Sequence, residues 1–218
     1  MNKPLKIGIV GFGRVAGNHL KRMQAAPDKF AVAAVCDRLE ERRKAAEEAG
    51  VSFTTSDLDE LLARDVEVVF ITTHSSAHYP IAMPCLEAGK HLVIEKPVTV
   101  KAEEAEEIFK LAEKKGLTVL VHHNRRFDLD YHNVRKMIED HGVGELVLVE
   151  NRVGSASPAL RFGTPEFDQK WRISKEMGGG TLMDFGPHYV DQVLDLVPAK
   201  ITGVLADIRN VKWGDADD

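Results

Sequence analysis

Lys6-Ile-Gly-Ile-Val10-Gly11-Phe-Gly13-Arg-Val-Ala16 is the stretch on which the reading of this chain turns. A short apolar run ends in G-x-G-x-x-A, and helical spacing follows from Arg14 to Ala26. The first glycine allows a tight turn, and the second lets a phosphate approach the backbone. Small Ala16 lets the helix pack closely on the strand. The amides at the start of the helix then face an anion. The motif is weak by itself. Here it opens a strand–helix–strand unit, because Phe30–Cys36 is the next apolar run and Asp37 closes it roughly 20 residues beyond the loop.

The pattern continues outward from this unit. Leu39 to Ala49 reads as a charged helix closed by Gly50, and Ser56-Asp-Leu-Asp59 reads as a capping box for a helix through Ala63. Val66–Ile71, His91–Glu95 and Thr118–His122 are short apolar strands, and Ala102–Lys115 is a helix stopped by Gly116. A helix over Ala77–Ala88 contains Pro80 and Pro84, so a kink or a late start is expected. Short buried strands separated by helices imply a doubly wound parallel α/β sheet over residues 1–123. Past His123 the texture changes. Leu129–His141 and Leu182–Val197 read as helices, and Gly154 to about Gly180 as a loop. Glu145–Arg152 and Ile201–Ile208 alternate as half-exposed strands would, which predicts a second α+β domain over 124–218 with an open, mainly antiparallel sheet.

Composition narrows the function classes. The 218 residues are 44% hydrophobic and 29% charged, which argues for a folded chain. Acidic residues outnumber basic ones 34 to 29, so nucleic acid is an unexpected partner. No apolar run is long enough for a bilayer, so no membrane partner is expected. The N-terminus runs straight into a strand without the pattern of a signal peptide. Cys36 and Cys85 form no disulfide framework, and a cytoplasmic setting is expected. No metal site is expected: adjacent His122 and His123 at a strand end point to opposite faces, with no acid or cysteine at ligand spacing.

Candidate site residues cluster at strand ends. Asp37 is placed to accept hydrogen bonds from an adenosine ribose, with Arg38 beside it. A 2′-phosphate there would meet about 3–4 kcal/mol of repulsion per charge, so NAD is favoured over NADP. Thr72-Thr-His-Ser-Ser76 with His78, Glu95-Lys96-Pro97 and His122-His-Asn-Arg125 would border one cleft. Lys96 could polarise a substrate oxygen or simply pair with Glu95. In Gly178-Gly-Gly-Thr-Leu-Met-Asp184-Phe-Gly-Pro-His188, the glycines allow backbone to approach a ligand, and Asp184 and His188 would share one helix face. That pair could act as a proton acceptor with its orienting carboxylate, or as a capping Asp and a packed His.

Taken together, the chain resembles the Gfo/Idh/MocA oxidoreductase family, named for glucose–fructose oxidoreductase and inositol dehydrogenase. The matching residues are the glycine loop with His19, Asp37, Thr73 to His78, Ala88-Gly-Lys-His91, Glu95-Lys-Pro97, Asn124-Arg-Arg-Phe127, Trp171-Arg172 and Gly178 to Asp191. Ala16 stands for the usual third glycine, and His74-Ser75 for the usual Pro-Asn. The chain is shorter than usual and stops where another strand would be expected. The resemblance implies a Rossmann domain, a second domain whose sheet packs homo-oligomers, and hydride transfer between NAD(P) and a hydroxyl-bearing carbon of a sugar, cyclitol or related polyol. It maps catalytic roles to Lys96, Asp184 and His188, and cofactor contacts to Gly11, Gly13, Arg14, Val15, Asp37, Thr73, His78 and Glu95, with Arg38 adjoining. Trp171 and Arg172 would line the substrate side, and the polarity of Arg125 suits a polyhydroxylated ligand there with Lys96 and His188. An NAD-assisted glycoside hydrolase and a non-catalytic NAD-binding subunit are the alternatives.

Overall fold

Six parallel strands lie in the order β3-β2-β1-β4-β5-β6 in a computed structural model that describes residues 3–154, 169–197, 199–211 and 214–217. The strands are β1 (Leu5–Val10), β2 (Phe30–Cys36), β3 (Thr54–Thr55), β4 (Val68–Ile71), β5 (His91–Glu95) and β6 (Val119–His122). Between them run α1 (Arg14–Gln24), α2 (Glu40–Glu48), α3 (Leu58–Leu62), α4 (His78–Glu87) and α5 (Ala102–Lys115). The winding reverses between β1 and β4, which opens a crevice beyond the C-terminal strand ends. Register places Val10 opposite both Cys36 and Ile71, Ile71 opposite Ile94, and Glu95 opposite His122. Gly11, Asp37, Thr72 and Lys96 therefore leave the sheet along one rim.

Alternation along the strands builds two cores. Ile7, Ile9, Val35 and Phe70 pack with Ala16, Leu20 and Ala46 on one face. Val10, Ala34, Val69, Ile71, Leu92 and Ile94 pack with Leu61, Leu86 and Ile108 on the other. Burial on both faces explains why these strands read as apolar runs. Ala16 is fully buried, as close packing of helix on strand requires.

Local signals held with small shifts. Gly116 ends α5 in the left-handed region at φ 65°. The α3 cap is Asp57, not Ser56: its carboxylate accepts the Asp59 N–H at 2.8 Å, while the Asp57 N–H donates to Thr55 at 3.0 Å. β3, too short to read from sequence, delays the helix by this one residue. A single 3-10 turn, Ser75–Ala77, precedes α4, which starts at His78, and Pro84 sits inside it. Pro84 has no N–H to give the Pro80 carbonyl.

The second half departs from expectation. It contains 3-10 turns at Asn124–Phe127 and Gln169–Ile173, and helices α6 (Leu129–Glu139), α7 (Thr181–Asp184) and α8 (Gly186–Leu196). The helix expected over Leu182–Val197 is broken at Phe185, and Pro187 opens α8. The residues at 145–152 and 201–208 make no strand pairing, so the predicted open sheet is not formed among the described residues. Alternation marks a face that a strand would bury but supplies no ladder partner. Val147, Leu148, Val204 and Leu205 are all largely exposed. Most of the expected 154–180 loop, residues 155–168, lies outside the described residues.

Ile94 is fully buried at the sheet centre and Leu205 fully exposed. In urea unfolding, Ile94→Ala is expected to lose about 2–5 kcal/mol and Leu205→Ala less than about 0.5 kcal/mol. Equal losses would contradict this assignment of the core.

Candidate active site

The strand rim and the second half enclose a cavity of about 400 Å³. Gly11, Gly13, Arg14, Val15, Asp37, Arg38, Thr73, Glu95, Lys96, Trp171, Arg172 and Asp184 all line it. His78, Arg125 and His188 do not.

The glycine loop forms one wall. Gly11 has φ +86°, and a Cβ there would lie 2.8 Å from Thr73 Cγ2 and 3.0 Å from its backbone nitrogen. Glycine alone fits that turn. Gly13 borders open space and precedes α1, whose first turn has no side-chain cap. Those amides are available to an anion in the cavity.

Asp37 stands opposite. Its Oδ2 accepts the Phe12 N–H at 2.6 Å and its Oδ1 accepts the Leu39 N–H at 2.9 Å. Each oxygen keeps further acceptor capacity for a hydroxyl. The first bond fixes the loop between β1 and α1 to the end of β2, and the second holds the Asp37 carboxylate in its own turn.

His78 has a different job from the cofactor contact expected of it. It is buried, with Nδ1 2.9 Å from the Pro97 carbonyl and Nε2 3.2 Å from the Thr73 carbonyl. Burial lowers its pKa, so the ring is neutral and donates from one nitrogen only. It braces the two loops that flank the cavity. Thr73 Oγ1 is buried there without a hydrogen-bond partner.

Asp184 occupies the far end. Its Oδ1 accepts from Lys96 Nζ at 2.9 Å and from Arg172 Nη1 at 2.7 Å, and its carbonyl accepts a second Lys96 N–H. Lys96 pairs with Asp184 rather than Glu95. Burial would raise the Asp184 pKa, but the two cations outweigh it and hold the carboxyl below its usual range. The Arg172 guanidinium lies 4.4 Å above the Trp171 ring. Gly179 allows this: a Cβ would sit 2.5 Å from the Trp171 oxygen and the Arg172 carbonyl carbon. Gly179 thus admits protein backbone, while Gly178 of the same turn lines the cavity.

His188 is buried, and its Nδ1 has no hydrogen-bond partner. Burial first, then Lys96, Arg125 and His123, push its pKa down to about 4 against Asp184. The expected Asp184–His188 hydrogen bond is absent among the described residues. The helix is interrupted at Phe185, and both cations claim Asp184. Arg125 pairs with Asp128 at 3.1 Å near the surface, and Gln192 donates to its carbonyl at 2.9 Å.

Two clusters escaped the sequence reading. Arg126 makes two bonds of 2.7 Å to Asp191, tying the turn after β6 to α8. His19, Glu95 and His122 meet behind the cavity wall. His19 Nε2 and His122 Nδ1 lie 2.9 and 3.0 Å from Glu95 Oε1. Burial pushes the Glu95 pKa up, but the two imidazoles dominate and hold it at about 2. As expected, His123 faces away, with Nδ1 3.7 Å from Asp191. No spacing rule joins positions 19, 95 and 122; only the strand order does.

These features fit a dinucleotide. The uncapped helix start and Gly13 suit a pyrophosphate, Asp37 suits a ribose, and the unpartnered Thr73 hydroxyl offers a further polar contact toward Lys96.

Comparison with known proteins agrees. Residues 5–123 match the model of an oxidoreductase family with an NAD-binding Rossmann fold, and residues 131–218 match the GFO/IDH/MocA C-terminal domain. The chain is 31% identical over 215 residues to scyllo-inositol 2-dehydrogenase (NADP(+)) IolW of Bacillus subtilis, covering 97% of this chain and 58% of that one. It is 35% identical to an NAD-binding protein of Listeria innocua, with TM-score 0.80 over 89% of this chain and 55% of that structure. The WlbA dehydrogenase of Bordetella pertussis, solved with NADH and UDP-GlcNAcA, is 26% identical with TM-score 0.83, covering 100% and 62%. The chain thus spans little more than half the length of the curated relatives it matches. With two consecutive family models covering most of its length, the chain belongs to the Gfo/Idh/MocA oxidoreductase family.

Proposed function

We propose that this chain carries the cofactor and catalytic residues of an NAD-dependent dehydrogenase that oxidises a CH–OH group of a cyclitol, sugar or related polyol. The observation that carries this reading is Lys96 held by Asp184 at one end of the cavity whose other end is Gly11, Gly13 and Asp37. The inositol dehydrogenases among the relatives support a polyol substrate. NAD is favoured over NADP because a 2′-phosphate would meet the Asp37 carboxylate, although IolW is named for NADP(+). We place the division between a cofactor half, 1–123, and a substrate half, 124–218, at the end of β6. Two buried free thiols support a reducing, cytoplasmic setting. Among the described residues no helix is long and apolar enough to cross a membrane.

When bound, the nicotinamide supplies a two-electron hydride acceptor or donor. Gly11, Gly13 and the α1 amides hold the phosphates, Asp37 holds the ribose, and Thr73 and Glu95 flank the reacting end. Lys96 gives two of its three N–H donors to Asp184. The third is left for a substrate oxygen, whose developing negative charge it stabilises. Asp184 fixes that ammonium in place and Arg172 shares the carboxylate. His188 is neutral at neutral pH and is the proposed acceptor of the hydroxyl proton; its buried ring lies outside the cavity lining and has to turn toward the substrate to reach it. Trp171 and Arg172 stand on the substrate side, and Arg125 lies outside the cavity lining.

A polyol that yields NADH with this protein is expected to lose turnover by about 100-fold or more with Lys96→Met, and by about 100-fold or more with His188→Asn. Unchanged turnover in both would overturn the assignment. Release of sugar without net NADH would point instead to the hydrolase alternative.

The His188 pKa, about 4 in the fold against 6.5 unfolded, also affects stability. Between those values the unfolded chain binds the extra proton, so stability falls as pH drops from 6.5 towards 4. His188→Gln is expected to flatten urea midpoints across that window. An unchanged slope would contradict a buried neutral imidazole.

A further inference from the structure

We propose that His19, Glu95 and His122 form a binding site for one borderline divalent cation of the Zn²⁺ or Co²⁺ type, at the back wall of the cofactor cavity. The three residues come from separate, rigid elements: α1, the end of β5 and the end of β6. β5 and β6 hold Glu95 and His122 opposite one another in register. One ligand atom from each residue lies within 4.8 Å of the other two. Both imidazole nitrogens converge on the same oxygen, Glu95 Oε1, at 2.9 and 3.0 Å.

Two imidazoles and a carboxylate are a Zn²⁺ ligand set that leaves a fourth position open. Mg²⁺ and Ca²⁺ prefer all-oxygen sites, so nitrogen donors select against them. A tetrahedral ion with bonds of about 2.0–2.1 Å keeps its ligand atoms ~3.4 Å apart. The two nitrogen–oxygen separations would open by ~0.4–0.5 Å, and the two nitrogens, which lie within 4.8 Å of each other, would settle at the same spacing.

The packing also suits a site. His19 lies tilted against Phe70 at 4.6 Å and meets His122 edge-on at 4.7 Å, so neighbouring rings limit both imidazoles. His122 Nδ1 is buried and makes no hydrogen bond, although it lies 3.0 Å from Oε1. A cation between the two atoms would satisfy that nitrogen. Glu95 also lines the cavity, which gives the ion a path from solvent.

The test is a Co²⁺ titration of the chelator-treated chain, followed by visible absorption and by displacement with Zn²⁺. The expected result is one equivalent with the strong absorption of four- or five-coordinate Co²⁺, and a rise in melting temperature with Zn²⁺. His122→Phe, which keeps a ring against His19, and His19→Gln should each weaken uptake at least about tenfold. Circular dichroism identifies whichever variant is folded and therefore readable. Absence of uptake by the unaltered chain overturns the proposal whatever the variants do. So does an unchanged spectrum in a folded variant, which would place the ion at other histidines. In either case the cluster is a brace alone, in which His19 bonds Glu95 and His122 packs edge-on against His19.

Discussion

A single buried carboxylate joins the two parts of this site. Asp184 accepts from Lys96, which leaves the sheet after β5, and from Arg172, which lies in a turn of the second half. Removing either cation would leave the other paired with a mostly buried carboxylate, and removing Asp184 would leave two cations together. The sheet can place Lys96 at the crevice by strand register alone. It cannot fix the direction of a flexible four-carbon side chain, and Asp184 does that. Gly179 is necessary to the same contact, since only a glycine lets the backbone beside Asp184 approach the turn that carries Arg172.

Asp37 plays the corresponding part at the other end. Two backbone N–H groups from different segments bond to its two oxygens, so the loop that would hold phosphates and the acid that would hold ribose form one rigid unit. Between these carboxylates, the row of strand ends sets the length of the cleft. The chemistry is thus distributed over a rim whose geometry follows from six parallel strands and one reversal of winding.

The first half was legible because its signals are local. Apolar runs, glycine stops and the phosphate loop each depend on a few consecutive residues, and the errors there were of one or two residues, as at Asp57 and at the start of β4, apart from the two-residue β3, which was not read. The second half was less legible because its signals depend on distant partners. The alternation around Val147 and Leu205 indicated strands, but no ladder forms for them among the described residues. The four-residue spacing of Asp184 and His188 indicated a shared helix face, but the helix is interrupted at Phe185 and Asp184 bonds the two cations instead. The Asp184 partners were individually visible as Lys96 and Arg172, yet nothing in their spacing paired them. His19, Glu95 and His122 were harder still, since only the adjacency of β5 and β6 with α1 brings them together.

The central claim is that this cleft is a dinucleotide site whose ribose end is set by Asp37. Calorimetric titration of the chain with NAD and, separately, with NADP tests it most directly. The account predicts saturable NAD binding at least about tenfold tighter than NADP, with the difference narrowing in Asp37→Ser. Tighter binding of NADP, or no binding of either by the folded chain, would contradict it.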